Sequence, residues 1–183
     1  MRGGGGISKK VIVLDTSAFL MGYNPLSIEE EQFAVNAVAS ELSFEDAAST
    51  RFRMAVDVGK VKLRDPSTKS VKKVEEVSKR LGDSLSLSEV DRGVLALALE
   101  LKESGFTPFI VSDDYAVQNV ADQLGIGYSS LSNFGIRYRF QWILVCPACH
   151  RRYPPTFSQK ECSICGTILK RRVQRKIQAK GRI

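Results

Sequence analysis

The chain has 183 residues, 43% hydrophobic and 26% charged. This fits one soluble domain plus a small module and excludes a wholly disordered chain. No apolar run approaches the roughly 20 residues of a membrane helix, and no segment joins a basic start, an apolar stretch and a cleavage site, so a cytoplasmic protein is expected.

Met1 to Gly6 are Gly-rich, and residues 1–9 read as a flexible N-terminus. Val11–Leu14, short, β-branched and ended by Asp15, predicts a buried strand. Ser27 before Glu29, Glu30 and Glu31 predicts a helix start, with Phe33, Val35, Val38 and Leu42 continuing the helical pattern. A second helix is expected over Phe44–Val58, a short strand over Val61–Leu63, and a charged helix over Thr68–Leu81 closed by Gly82. Ser88 caps a further helix whose run Val94–Leu101 is too apolar to be anything but buried. Pro108–Val111 predicts a second buried strand ending on Ser112-Asp113-Asp114. Tyr115–Leu124 predicts a helix, and Ile126–Tyr128 a short strand. Strands alternating with helices point to an α/β fold with a parallel sheet flanked by helices.

The character changes after Leu131. Arg137–Val145 reads as an extended strand leading into Cys146. The net charge of +7 is split unevenly. Residues 1–136 carry 15 Lys and Arg against 19 Asp and Glu, a balance of −4, whereas residues 137–183 carry 12 against Glu161 alone, a balance of +11. A basic end either merely aids solubility or meets a polyanion, most simply nucleic acid, since Lys and Arg displace condensed counterions from phosphates.

Cys146-Pro-Ala-Cys149 and Cys162-Ser-Ile-Cys165-Gly are two Cys-x-x-Cys units that use every cysteine in the chain. Four thiolates suit the tetrahedral preference of Zn²⁺. Disulfides and an iron–sulfur cluster are weaker alternatives. Such a closed site is structural: it folds a core too small to fold alone. His150, the single histidine, reads as a surface residue.

Asp15 and the Asp113–Asp114 pair stand at the ends of the two buried strands, where open parallel sheets build their sites. Glu41 and Asp91 lie among small or apolar helical residues. Each acid has a plain reading as a helix cap, a first-turn residue or an exposed residue. Taken together, with no catalytic His available, they favour a hard cation such as Mg²⁺ or Mn²⁺, the metals of phosphodiester cleavage.

The run Val11–Phe19, then Glu41, then Leu87-Ser88…Asp91…Leu95–Ala98, then Val111–Ala116, resembles the PIN-domain ribonucleases. With the zinc module behind them, these residues are similar to the archaeal members that mature the 3′ end of small-subunit (16S) pre-rRNA. The resemblance implies a PIN-like sheet over 10–130 and a Mg²⁺- or Mn²⁺-dependent, single-strand-specific endoribonuclease that leaves 5′-phosphate and 3′-hydroxyl ends. It implies Asp15, Glu41 and Asp91 as catalytic metal ligands. Asp114 is favoured as the fourth because it precedes an aromatic residue, with Asp113 a secondary ligand. Thr16 and Ser112 would position water or a ligand carboxylate. A KH-domain assembly factor is a partner implied in the same way.

Beyond residue 130, a linker is expected over 131–140, a small β zinc ribbon over 141–172 and a basic tail over 173–183. Phosphate contacts are expected from Arg137, Arg139, Arg151, Arg152, Lys160, Lys170, Arg171, Arg172, Arg175 and Lys176. Tyr138, Phe140, Trp142, Tyr153 and Phe157 are candidate stacking platforms, with core packing the competing role of Phe140 and Trp142. The alternatives are a non-catalytic zinc-ribbon RNA-binding adaptor, a toxin-type PIN ribonuclease and, less favoured, a DNA-binding zinc-ribbon factor.

Overall fold

The computed structural model describes residues 8–43, 45–82, 86–131 and 138–178. Its first part runs β1 (Lys10–Leu14), α1 (Thr16–Leu20), a 3₁₀ turn (Pro25–Ser27), β2 (Glu31–Ala34), α2 (Val38–Glu41), α3 (Ala47–Asp57), β3 (Val61–Leu63), α4 (Thr68–Leu81), α5 (Glu89–Glu103), β4 (Thr107–Val111), α6 (Tyr115–Leu124) and β5 (Gly127–Ser129). The five strands are parallel, in the order β3-β2-β1-β4-β5. The chain thus builds outward from β1 to β3, then crosses to the other side of β1 at β4. The carboxyl ends of β1 and β4 flank that reversal, where doubly wound sheets bind ligands.

Burial on both faces explains the near-continuous apolar strands. Val11, Val13, Leu14, Ile110 and Val111 are buried, and α5 buries Val94 to Leu99 and Leu101 against them. The ends of α4 and α6 fall where capping chemistry places them. Ser67 accepts from the Ser70 amide, Asp114 accepts from Ala116 and Val117, and Gly82 and Gly125 follow in the left-handed conformation.

One expectation fails. Residues 27–42 are not a helix. Gln32, Phe33 and Ala34 are buried in strand β2 between β1 and β3, and only Val38–Glu41 is helical. The apolar spacing mimicked a helical stripe, and burial within the sheet overrode it. Glu31, read as a partner of a helix dipole, instead pairs with Lys9 on one side and Lys62 on the other.

The second part is an antiparallel sheet, in the order β7-β6-β8, of β6 (Tyr138–Val145), β7 (Arg152–Tyr153) and β8 (Lys170–Gln178). Residues 138–140, expected in the linker, belong to β6. Residues 173–178, expected as tail, pair along β6 through Gln178. The expected N-terminus 1–7, linker segment 132–137 and tail end 179–183 lie outside the described residues. Leu144, Phe157 and Leu169 pack around the buried Cys146, Tyr153 and Cys162.

The two parts meet at the end of α4. Gly82 has φ +77°, and a Cβ there would lie 2.9 Å from the Cβ atoms of both Trp142 and Pro155, so the bare glycine lets the ribbon approach. Arg171 stacks 4.1 Å from the Trp142 ring centroid and donates from Nη1 to Ser86 Oγ at 2.6 Å. Trp142 and Arg171 therefore work at this junction, which favours packing over base stacking for Trp142.

Candidate active site and zinc centre

Asp15 is the first residue past β1 and caps α1. Its Oδ1 accepts from the Thr16 amide at 2.8 Å, and its Oδ2 accepts from Ser17 Oγ at 2.7 Å and Ser112 Oγ at 2.6 Å. The carboxylate is 3% exposed. Burial first, and the Asp114 charge last, push it above the ordinary carboxylate range, against the lowering bonds of Ser112, Ser17 and Thr16.

Asp91 occupies the third position of α5 in a capping box. Ser88 Oγ accepts from the Asp91 amide, and Asp91 Oδ2 accepts from the Ser88 amide at 2.7 Å. Burial, then the charges of Asp15 and Asp114, also push Asp91 upward, against its Ser88 bonds. Asp15, Asp91 and Asp114 thus face one another electrostatically although they come from three separate helix starts. Both readings of these acids hold: each serves its helix, and together they form one negative pocket.

Glu41 reaches the same place from α2, its Oε2 accepting from Thr16 Oγ1 at 2.5 Å. Asp113 turns elsewhere. Its Oδ1 accepts from the Ser130 hydroxyl and, at 3.0 Å, from the Leu131 amide past β5. Of the adjacent pair, Asp114 is the acid that faces Asp15 and Asp91.

Thr16 and Ser112, expected to position water or a carboxylate, bind Glu41 and Asp15 directly. Sequence reasoning missed Ser17 and Gln118. Ser17 Oγ also accepts from the Asp113 amide at 3.0 Å, and Gln118, 1% exposed, donates from Nε2 to the Ser112 carbonyl at 2.7 Å. Ser17 carried a signal, as a hydroxyl two residues past a strand-end acid. So did Gln118, a carboxamide on a mainly apolar helix face.

Among the described residues, no three of these acids bring their oxygens within 4.8 Å of one another. That spread suits Mg²⁺ or Mn²⁺, since such hard cations keep several waters and take few carboxylates directly. An all-oxygen set of carboxylates and hydroxyls, partly desolvated and mutually repelling, fits a divalent cation and gives its buried charges a partner.

The cysteines do converge. Cys146, Cys149, Cys162 and Cys165 place all four Sγ atoms within 4.8 Å of one another, with none in a disulfide. The Cys146–Cys165 and Cys149–Cys162 pairs stand at 3.4 and 3.5 Å, near the ~3.8 Å edge of a tetrahedron with 2.3 Å zinc–sulfur bonds. The two knuckles match. The His150 amide donates to Cys146 O at 3.0 Å, the Gly166 amide donates to Cys162 O at 2.9 Å, and both residues have positive φ, 60° and 70°. His150 is exposed, as expected.

The Tyr153 hydroxyl, 3.0 Å from Cys162 Sγ, is the first cause drawing that thiol down to about 6. Against a lowering bond from the Arg151 amide, the neighbouring thiols push Cys149 up to about 12. Four thiolates do not stay charged together without a cation. Tyr153 also lies 4.5 Å from Phe157 between ring centroids. The candidate stacking role of these two rings gives way to the ribbon core, which has few other apolar groups to cover its cysteines.

The opposite face of the ribbon sheet is a basic groove of about 400 Å³. Ile143, Val145, Pro147 and Val173 form its floor, and His150, Arg152, Lys170 and Arg172 its charged rim. Arg151, Lys160 and Arg175 are exposed elsewhere. Arg137 and the side chains of Tyr138, Arg139, Phe140 and Lys176 lie outside the described residues. No helix among the described residues is long and apolar enough to cross a membrane.

Residues 12–101 match the family model described as PIN domain of ribonuclease. Endoribonuclease Nob1 of Methanocaldococcus jannaschii is 38% identical over 90% of this chain and 78% of its own length. Endoribonuclease Nob1 of Methanothermobacter thermautotrophicus is 35% identical over 89% and 93%. Ribonuclease VapC1 of Thermoplasma acidophilum is 32% identical over 88% and 77%. The parallel sheet, the acids at its carboxyl edge and the four-cysteine module behind it agree with these matches: the chain belongs to the Nob1 endoribonuclease family.

Proposed function

We propose that this endoribonuclease matures the 3′ end of small-subunit pre-rRNA by metal-dependent hydrolysis of a single-stranded segment. The reading rests on the convergence of Asp15, Asp91 and Asp114, joined by Glu41 through Thr16, at the carboxyl edge of the sheet. Those four residues would hold Mn²⁺ or Mg²⁺, with Asp113 in support through the Ser17 link. When bound, the cation supplies an activated water and positive charge at the leaving oxygen.

The rest of the work belongs to the chain. Ser17, Ser112 and the Thr16 amide fix the Asp15 carboxylate. Thr16 aims Glu41, and the capping box aims Asp91. Cys146, Cys149, Cys162 and Cys165 would hold one Zn²⁺ with no open position for substrate, keeping the ribbon's basic groove in shape. Arg152, Lys170 and Arg172 on that groove would take RNA phosphates, holding a strand that the acidic part repels. Arg171 is committed to Ser86 and Trp142 and is the weakest of the RNA candidates. A KH-domain assembly factor and a cytoplasmic setting belong to this same reading.

The test is incubation of the zinc-loaded chain with pre-rRNA spanning the small-subunit 3′ end and Mn²⁺. Cleavage at one position, reduced about 10³-fold or more by Asp15→Asn with RNA affinity retained, is the expected outcome. Equal cleavage by both proteins would remove Asp15 from the chemistry. RNA binding with no cleavage under any divalent cation would leave an adaptor.

A further inference from the structure

A groove of about 400 Å³, within the range of small-molecule pockets, opens between α4 and the first turn of α5. Its walls adjoin the acids. The loop after β2, Val35 to Ala37, runs directly into the helix that carries Glu41, and Glu89, Val90, Arg92 and Gly93 bracket Asp91. One helical turn therefore shows Asp91 to the acid pocket and other residues to the groove. The groove lies over β2 and β3, one to two strand spacings from β1, roughly 5–10 Å.

Its composition has two halves. Val35, Pro66 and Val71 offer apolar surface, whereas Glu75, Glu89 and Arg92 bring charge. Arg92 donates from Nη1 to the Leu87 carbonyl at 2.8 Å. Among the described residues it makes no ion pair, although Glu75 and Glu89 share the groove and also make none. The floor is held rigid: Asn36 donates from its amide at 3.0 Å and from Nδ2 at 2.7 Å to the Asp65 carboxylate. A planar cation with free donors matches phosphate. Carboxylates beside an apolar wall match the exocyclic amino group of a base, which adenine, cytosine and guanine carry and uracil lacks.

We propose that this groove receives the nucleotide next to the scissile phosphate, with Arg92 on its phosphate and Glu75 and Glu89 on the amino group of an adenine, cytosine or guanine base. The assignment rests on the reading of the acids as the site of RNA cleavage. It goes further by naming a specificity-determining subsite that disfavours uridine.

The probes are labelled single-stranded RNA heptamers that differ only in the two nucleotides flanking the cut, offered to the zinc-loaded full chain. Arg92→Ala should raise KM about tenfold with a smaller change in kcat, and it should lower the salt slope of binding by about one. Arg92→Lys should recover part of the loss. A role confined to holding Leu87 near Asp91 would lower kcat instead. Uridine on one side of the cut should weaken binding about tenfold, and Glu75→Gln with Glu89→Gln should erase that preference. Gly93→Leu places a side chain beside Val35, from which even a Cβ would stand 3.6 Å, and gives the helix a better former. It should weaken RNA binding without lowering the melting temperature.

Binding is measured in the Asp15→Asn background as well, so the subsite is scored even where cleavage fails. Absence of cleavage with a surviving base preference would sink the nuclease reading and keep the groove. An unchanged KM and salt slope in Arg92→Ala, or uridine bound as well as cytidine on both sides, overturns the proposal.

Discussion

The two halves of the chain reach order by opposite routes. The parallel-sheet part buries a broad apolar core, from Val11 through Phe52 and Leu97 to Tyr128, and that core holds several acids at one edge at the expense of their solvation. The ribbon buries only Cys146, Tyr153 and Cys162 among its clustered described residues, far too little to fold by burial. It depends on four sulfurs meeting a cation. Charge follows the same division. The first half gathers negative groups where a cation belongs, and the second spreads positive groups where phosphates belong. Rigid placement is a product of core volume, so the chemistry sits in the half that has one, and capture sits in the half that does not.

Breaking one half and watching the other tests this contrast. The largest effect belongs to the cysteines. Cys146→Ser, or chelation of zinc, should unfold the ribbon, because a structural zinc site contributes roughly 10–16 kcal/mol. The far-ultraviolet dichroism of the parallel-sheet part should persist while Trp142 fluorescence shifts. Loss of both halves together would show one cooperative unit.

Next comes the support of Asp15. Ser112→Ala removes a 2.6 Å bond to its carboxylate, and such partners of metal ligands are worth about 10–100-fold in metal affinity or activity. Titrating Mn²⁺ against cleavage rate should show the loss as a raised metal requirement, with the ribbon's zinc content unchanged.

The junction should yield less. Gly82→Ala puts a side chain into a left-handed conformation, which costs about 1–2 kcal/mol, and drives a Cβ against Trp142 and Pro155. A lowered melting temperature with altered Trp142 emission is the expected result. An unchanged emission would mean that the ribbon does not rest on Gly82.

The smallest effect is a pH dependence. Asp15 and Asp91 are both held above the ordinary value of 3.8, so the fold prefers their protonated forms. The stability this contributes is whole below that value and is lost as pH rises through the elevated ones. In zinc-loaded protein free of other divalent cations, Asp15→Asn should melt higher than its parent at pH 7, and the gap should close towards pH 4. Added Mn²⁺ should close it at pH 7 by binding the parent alone.

Much of this was legible in the residues. Ser67 and Gly82 delimit α4, and Asp114 and Gly125 delimit α6, because capping is local chemistry written within a turn of the helix end. The cysteine spacing specified its cluster for the same reason. The acids were legible as residues but not as a geometry. Asp113 and Asp114 are neighbours in sequence and equal in chemistry, and it took the position of β5 beside β4 to turn one towards Ser130 and leave the other facing Asp15. Strand β2 was misread because a central strand earns its place from its neighbours, and Gln32 to Ala34 look helical until β1 and β3 stand on either side.

By itself, the order of residues determined the alternation of strands and helices, the helix ends, the four zinc ligands and the segregation of charge. All of these depend on contacts within a few residues or on composition. Tertiary structure decided that Asp15, Glu41, Asp91 and Asp114 share one edge, that Tyr153 and Phe157 serve the ribbon core, and that Arg171 grips Ser86. Those outcomes depend on which distant groups burial brings together, and no local spacing carries that information.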